Sequence, residues 1–173
     1  MKLDLACGQK CKDGFRGVDI SQHPAVAHVV DLFQTPWPFA PNTVEEVWCS
    51  HFVEHTPNLI GFMNELYRIM APGAIATIIA PYYTSMRAWQ DPTHLRAITD
   101  ATFVYFDATW RKREGLDHYP IRTDFEQIEV RHAIHPDWSA STSDEVRYAM
   151  KHQWNVIEDI QVTLRKRIHT PTQ

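Results

Sequence analysis

Four short apolar runs near the N-terminus each end in residues that can hold a polar ligand. Leu3 to Ala6 carries Asp4 and stops at Cys7-Gly8, and Phe15 to Ile20 closes on Asp19-Ile20. "AHVVDL" ends in Asp31-Leu32, and "VEEVWCS" runs into Ser50-His51. Small residues after the first run let backbone approach a ligand closely. A carboxylate where Asp19 stands can accept both hydroxyls of a ribose. Asp31 offers an acceptor beside the apolar Leu32, which suits an amino-substituted base. Any one of these residues alone reads as an ordinary turn former. Their order, one set per successive run, favours a shared nucleoside site.

A second constellation is "HFVEH", residues 51–55, which has the His-x-x-Glu-His pattern of a zinc peptidase. On a helix His51 and His55 would share a face. The stretch follows an apolar run directly and precedes Thr56-Pro57, so barely one helical turn fits. The favoured reading is that Glu54 and His55 brace a loop while His51 faces a ligand. Cys7 and Cys11 are also four apart, without the further ligands a structural zinc needs. No metal is expected.

The elements that must position these residues follow from periodicity. Residues 2–6, 15–20, 27–32 and 44–50 read as short strands. Residues 58–71 place Leu59, Phe62, Met63, Leu66, Ile69 and Met70 on one helical face, with Asn58 as cap and Pro72-Gly73 as stop. "AIATIIAP", 74–81, is a continuous apolar strand of a parallel sheet. Thr99 can cap a helix through Trp110, with Asp100 in its first turn. Residues 125–135 and 156–168 alternate, the first with Ile128, Val130 and Ile134 on one face. Between them "STSDEVRYAMKHQ" is a capped helix. The pattern is α/β, with an antiparallel pair at one edge.

The 173 residues suit one domain. A net charge of −4 argues against a protein built to coat nucleic acid. No run approaches the ~20 apolar residues of a membrane span, and the N-terminus lacks signal-peptide order. Three cysteines read as reduced thiols. A cytoplasmic protein is the expectation.

"LDLACG", "GVDIS", "VVDLFQTPWPF", "VWCSHFVEH", "ELYRIMAPGAIATIIAP" and "DPTHLRAIT" together resemble the successive motifs of small class I S-adenosylmethionine-dependent methyltransferases, over roughly residues 2–106. The resemblance implies a Rossmann-like three-layer sandwich. Its sheet is mostly parallel and seven-stranded, with strand seven antiparallel. It implies S-adenosylmethionine as cofactor and S-adenosylhomocysteine as product. Asp4, Ala6 and Gly8 would line the methionine end. Asp19, with Ile20 beside it, would hold the ribose. Asp31 would meet the adenine amino group and Leu32 the ring, and Ser50 and His51 would sit by the sulfonium. Two departures stand out. Only about nine residues separate the first two strands, below the ~10–12 of a crossover with its helix, so that helix should be shortened or absent. Lys10 occupies the place where the family often has a third glycine. The sequence opens on strand one, so the site is expected to be open, or closed by a partner or by residues 82–98.

Methyl transfer is an in-line displacement, and the protein mainly supplies alignment and water exclusion. Tyr82, Tyr83 and Trp89 can form an aromatic wall for the acceptor, and Arg96 can bind an anionic group on it. His94 is the candidate base, with His51 as a second candidate. The competing reading makes Asp91, His94 and Arg96 a network that pins the loop. The acceptor is expected to be a small or sugar-containing molecule. The alternatives are a non-catalytic nucleoside-binding or assembly subunit, with a homo-oligomer or partner subunit, and the zinc peptidase.

Overall fold

The computed structural model describes residues 1–168. Seven strands form one sheet: β1 (Lys2–Leu5), β2 (Arg16–Asp19), β3 (Val26–Val29), β4 (Val44–Ser50), β5 (Met70–Pro81), β6 (Phe125–Ile134) and β7 (Ile157–Lys166). Four α-helices accompany them: α1 (Leu59–Ile69), α2 (Arg87–Gln90), α3 (Ala108–Arg113) and α4 (Ser143–His152). The spatial order is β3-β2-β1-β4-β5-β7-β6, and β7 runs antiparallel to both neighbours. This is the expected α/β sheet. Strand order reverses between β1 and β4, where an open parallel sheet offers a crevice at its carboxyl ends. No helix among the described residues is long and apolar enough to cross a membrane.

Register carries two contrasting faces across the sheet. Leu3, Val47, Ala76 and Leu164 stand in one row, Leu5, Cys49, Ile78 and Val162 in the next, and all are buried. The opposite face carries the rows Lys2–Glu46–Ile75–Arg165 and Asp4–Trp48–Thr77–Thr163. Most of those residues stay partly exposed. Right-handed crossovers put the β1–β2 and β2–β3 connections on the face opposite α1. Both connections are loops, so that face is thinly covered over β1–β3. The missing first helix matches the short spacing. Gly17, within β2, lets neighbouring loops pack close: a Cβ there would meet the Ala25 carbonyl oxygen at 2.2 Å and Cys7 Sγ at 2.6 Å.

α1 follows its periodicity. Leu59, Phe62, Met63, Leu66 and Ile69 are buried, and Gly61 N donates to the Asn58 cap at 2.9 Å. Each buried apolar side chain contributes roughly 1.5–3 kcal/mol. Glu65 sits among them because it is fully engaged: Trp37 N donates to it at 2.6 Å, and Arg68 Nε and Nη2 at 2.8 and 2.6 Å. Burial works to raise its carboxyl, but these donors outweigh that and hold it below the usual range. The helix ends at Ile69, and β5 starts at once with Met70, four residues before the expected strand. Met70 is already extended and pairs with Val44; Pro72 and Gly73 then fall where the register shifts between Val44 and Glu46.

Elsewhere local bonds overturn periodicity. The single helix expected from Thr99 through Trp110 is broken into a 3₁₀ turn, Val104–Phe106, and α3, capped by Asp107 accepting from Trp110 N at 3.0 Å. Thr99 N donates instead to Thr102 Oγ1 at 2.9 Å. Asp100 leaves the backbone to accept from Tyr82 Oη at 2.7 Å and His132 Nε2 at 2.6 Å. Such side-chain bonds compete with helix formation. In β6 a bulge between Gln127 and Glu129 turns Ile128 outward and breaks its expected face. β3 ends at Val29, so Asp31 lies in the turn beyond it.

Candidate functional site

The corner after β1 is built by hydrogen bonds. Ala6 adopts φ 56° and Gly8 φ 57°, which swing the chain out of the sheet. Cys7 N donates back to the Val18 carbonyl at 3.2 Å. Lys12 N donates to Asp4 Oδ2 at 2.7 Å. Asp4 is buried, and that burial raises its carboxyl against the opposing pull of Lys12 N. Gly8 N donates to Asp19 Oδ2 at 2.9 Å, and Ser21 N to Asp19 Oδ1 at 3.0 Å. The loop folds over Trp48, whose ring carries Lys12 Nζ 3.9 Å above its centroid.

These residues bound a cleft of about 560 Å³ at the reversal point between β1 and β4. Asp4, Ala6, Lys10, Lys12, Trp48 and Ser50 line it. Its size falls within the range of small-molecule sites. Gly8 and Asp19 are not among the lining residues, though Gly8 directly follows Cys7, which is. Space near Gly8 is open: nothing lies within 4 Å of the Cβ a larger residue would carry. Cys7 and Cys11 also line the cleft. Burial, with Asp4 next, pushes the Cys7 thiol up to about 11 and Cys11 in the same direction, so neither is a ready nucleophile.

The remaining nucleoside candidates spread outward. Ile20 is exposed. Asp31 Oδ1 accepts from Phe33 N at 2.9 Å in a side-chain turn. Leu32 is buried and lines a separate hollow of about 40 Å³ with Phe33, Thr56 and Phe62.

His51 takes φ 53° just beyond β4, as Ala6 does beyond the adjacent β1. Left-handed backbone costs such residues about 1–2 kcal/mol, and the paired strain sits beside the cleft. His51 Nδ1 lies 3.5 Å from Glu54 Oε1, and Nε2 lies 3.8 Å from Asp159 Oδ2. Glu54 raises the imidazole most, burial opposes it, and Asp159 adds to the rise. Arg87 Nη1 donates to the same Asp159 oxygen at 3.0 Å. Sequence reasoning missed Asp159. It faces Pro81 across the β5–β7 ladder, and only antiparallel insertion of a distant strand brings it there. Lys12 and Trp48 were missed for a similar reason, since no local pattern announces a cation over a strand tryptophan.

The zinc-peptidase geometry does not form. Val53–His55 is one 3₁₀ turn, so His51 and His55 do not share a helical face. His55 instead meets His94 edge to face, with centroids 4.6 Å apart. His94 Nδ1 donates to the Ala88 carbonyl at 3.1 Å, and Nε2 lies 3.8 Å from Asp91 Oδ2. His94 does not line the 560 Å³ cleft. Arg96 Nη2 donates to the carbonyls of Thr56 and Pro57, the latter 3.3 Å away. Tyr82 is buried and donates to Asp100, while Trp89 is exposed and donates to the Tyr83 carbonyl at 2.9 Å.

Comparison with known proteins bears on this arrangement. Residues 3–78 match a family model described as a methyltransferase domain. A SAM-dependent methyltransferase from Archaeoglobus fulgidus superposes with a TM-score of 0.63 at 19% identity, over 95% of this chain and 85% of that one. The fold is the Rossmann-like methyltransferase fold. The [4+2]-cyclase SpnF shares it at a TM-score of 0.57 and 16% identity, over 97% of this chain and 74% of that one. Geranyl diphosphate C-methyltransferase from Streptomyces coelicolor A3(2), solved with Mg2+, geranyl diphosphate and S-adenosyl-L-homocysteine, gives 0.57 at 12% identity, over 96% of this chain and 72% of that one. No curated protein sequence matches. At these identities the structural likeness concerns fold alone.

Proposed function

We propose that the chain is an S-adenosylmethionine-dependent methyltransferase acting on a small-molecule acceptor. The observation that carries this reading is the cleft at the β1–β4 reversal, with Asp4, Ala6 and Ser50 in its lining, next to a loop whose Gly8 amide is bound to Asp19 at the end of β2. The residues fit the cofactor. The open space at Gly8 admits a ligand against bare backbone, and Asp19 keeps free lone pairs for ribose hydroxyls. Asp4, Ala6 and Gly8 would hold the methionine end, Asp19 and Ile20 the ribose, and Asp31 and Leu32 the adenine. Lys10, standing in place of a third glycine, lines the cleft and offers a cation for the cofactor's carboxylate.

When bound, S-adenosylmethionine supplies an electrophilic methyl on a sulfonium. Ser50 and His51 stand at the end of β4, where the acceptor would meet that methyl. Glu54 and Asp159 flank His51 and offset positive charge there. Tyr83 and Trp89 would wall the acceptor. His94 is tied to Ala88 and Asp91, which supports positioning of the 82–98 loop over proton transfer. Catalysis then rests on proximity and exclusion of water.

A second reading is a nucleoside-binding protein without methyl transfer; the [4+2]-cyclase SpnF, which has the same fold, is the observation that keeps it in view. One experiment separates them. Calorimetry with S-adenosylmethionine and S-adenosylhomocysteine tests binding, and isotope-labelled cofactor with acceptor pools, followed by mass spectrometry, tests transfer. Binding with transfer supports the first reading, binding without transfer the second, and no binding rejects both.

A further inference from the structure

We propose that Glu54, His55 and His94 form a binding site for a divalent transition-metal ion, zinc by its ligand chemistry, contrary to the metal-free expectation from sequence. One donor atom from each lies within 4.8 Å of the other two. Tetrahedral zinc bonds of about 2.0–2.2 Å place ligand atoms roughly 3.4 Å apart, so side-chain shifts of about an ångström close the site.

The second observation is Glu54 itself. It is 2% exposed, and neither carboxylate oxygen has a hydrogen-bond partner. His51 Nδ1, at 3.5 Å from Oε1, does not meet bonding geometry and leaves Oε2 with nothing. A buried carboxylate left so is costly unless paired with a cation.

The hydrogen bonds around both rings fix which nitrogens are free. Thr93 Oγ1 donates its one proton to Asp91 Oδ1 at 2.7 Å, since a carboxylate only accepts. Thr93 Oγ1 must therefore accept from His55 Nδ1, 2.9 Å away. His94 Nδ1 must donate to the Ala88 carbonyl. Each neutral ring thus keeps its lone pair on Nε2. Donation of the second ring N–H to a carbonyl or an acid-backed hydroxyl is the outer-shell pattern of metal-binding histidines. Two imidazoles and a carboxylate, without sulfur, suit zinc and its neighbours over calcium or magnesium. Asp91 Oδ2, 3.8 Å from His94 Nε2, is a further carboxylate that could supply a fourth position or hold a bound water. The ion would clamp the turn after β4 to the loop that carries Asp91 to Arg96, which the Leu95 N to Glu54 carbonyl bond at 2.8 Å already joins.

The test uses the whole chain, untagged and prepared without chelator. Elemental analysis should find about one zinc per chain. After chelation, Zn2+ alone should restore a higher melting temperature, and Co2+ alone should give the visible bands of a tetrahedral nitrogen–oxygen site. His55→Ala and His94→Ala should each weaken Zn2+ binding at least tenfold, while His152→Ala on exposed α4 should leave it unchanged. Because Glu54 is buried, the isosteric Glu54→Gln serves there, with circular dichroism to confirm folding. Absence of stoichiometric zinc and of any Zn2+ or Co2+ response in the folded protein would overturn the site. So would binding that survives both histidine changes, or that His152→Ala abolishes. None of these readouts depends on methyl transfer.

Discussion

The Gly8 amide donates to Asp19 Oδ2 across 2.9 Å, so the corner after β1 and the end of β2 are joined through the carboxylate proposed to hold the ribose. Asp19→Ala should weaken S-adenosylmethionine binding by about 1–3 kcal/mol, roughly five- to 150-fold, because charge-assisted bonds to the ligand and the brace on its loop vanish together. Asp19→Asn should fall between. Calorimetry reads both, and unchanged affinity in Asp19→Ala would reject the assignment.

Gly8→Ala probes the same corner from its backbone. The left-handed φ should cost about 1–2 kcal/mol of stability. The added methyl enters the open space proposed for the cofactor, so affinity should fall by more than the fold is disturbed. Parallel urea unfolding and calorimetry separate the two, and a fully stable variant with normal affinity would place the ligand elsewhere.

Gly17→Ala tests packing rather than chemistry. A Cβ 2.2 Å from the Ala25 carbonyl oxygen forces β2 and the turn before β3 apart. Overpacking of this kind typically costs about 1–3 kcal/mol. A melting temperature equal to wild type would show that the backbone yields more readily than the register suggests.

Glu65 gives a pH signature. Its folded carboxyl is held below its ordinary value, so its contribution is fully present above the unfolded value of about 4.3 and is lost as pH falls through the folded one. Glu65→Gln should flatten the loss of stability seen on acidification below about pH 4.5. At neutral pH, Glu65→Ala should destabilise by about 2–3 kcal/mol, less than a fully buried pair because Arg68 is partly exposed. Chemical denaturation across pH checks both.

Lys166 is buried at the end of β7, where Nζ donates to Asn42 Oδ1 at 2.7 Å and to the Tyr67 and Met70 carbonyls, each at 2.8 Å. Lys166→Met leaves those acceptors unmet and should cost about 2–3 kcal/mol in urea unfolding. A neutral result would mean that water replaces the ammonium.

Much of this was legible in the chain. β4 was bounded correctly by alternation, the start of α1 by its apolar spacing and the Asn58 cap, though not its end at Ile69, and the loop between β1 and β2 by a gap too short for a helix. What local pattern could not carry was partnership. Asp100 reads as a helix-opening acid, yet Tyr82 and His132, from elements far along the chain, draw it out. Asp159 reads as an ordinary strand residue until the β5–β7 ladder sets it beside His51. "HFVEH" paired His55 with His51, but Thr93 and His94 are the side chains that His55 meets.

The row Lys2–Glu46–Ile75–Arg165 has a practical consequence for handling the protein. It places the first strand's start and the last strand's finish at the same end of the sheet, with β4 and β5 between them, opposite the carboxyl ends of the parallel strands. A fluorophore or surface tether joined ahead of Lys2 would therefore leave from the end of β1 opposite its Ala6–Gly8 corner. A molecule anchored there would point its cleft toward bulk solution, the orientation a biosensor layer requires.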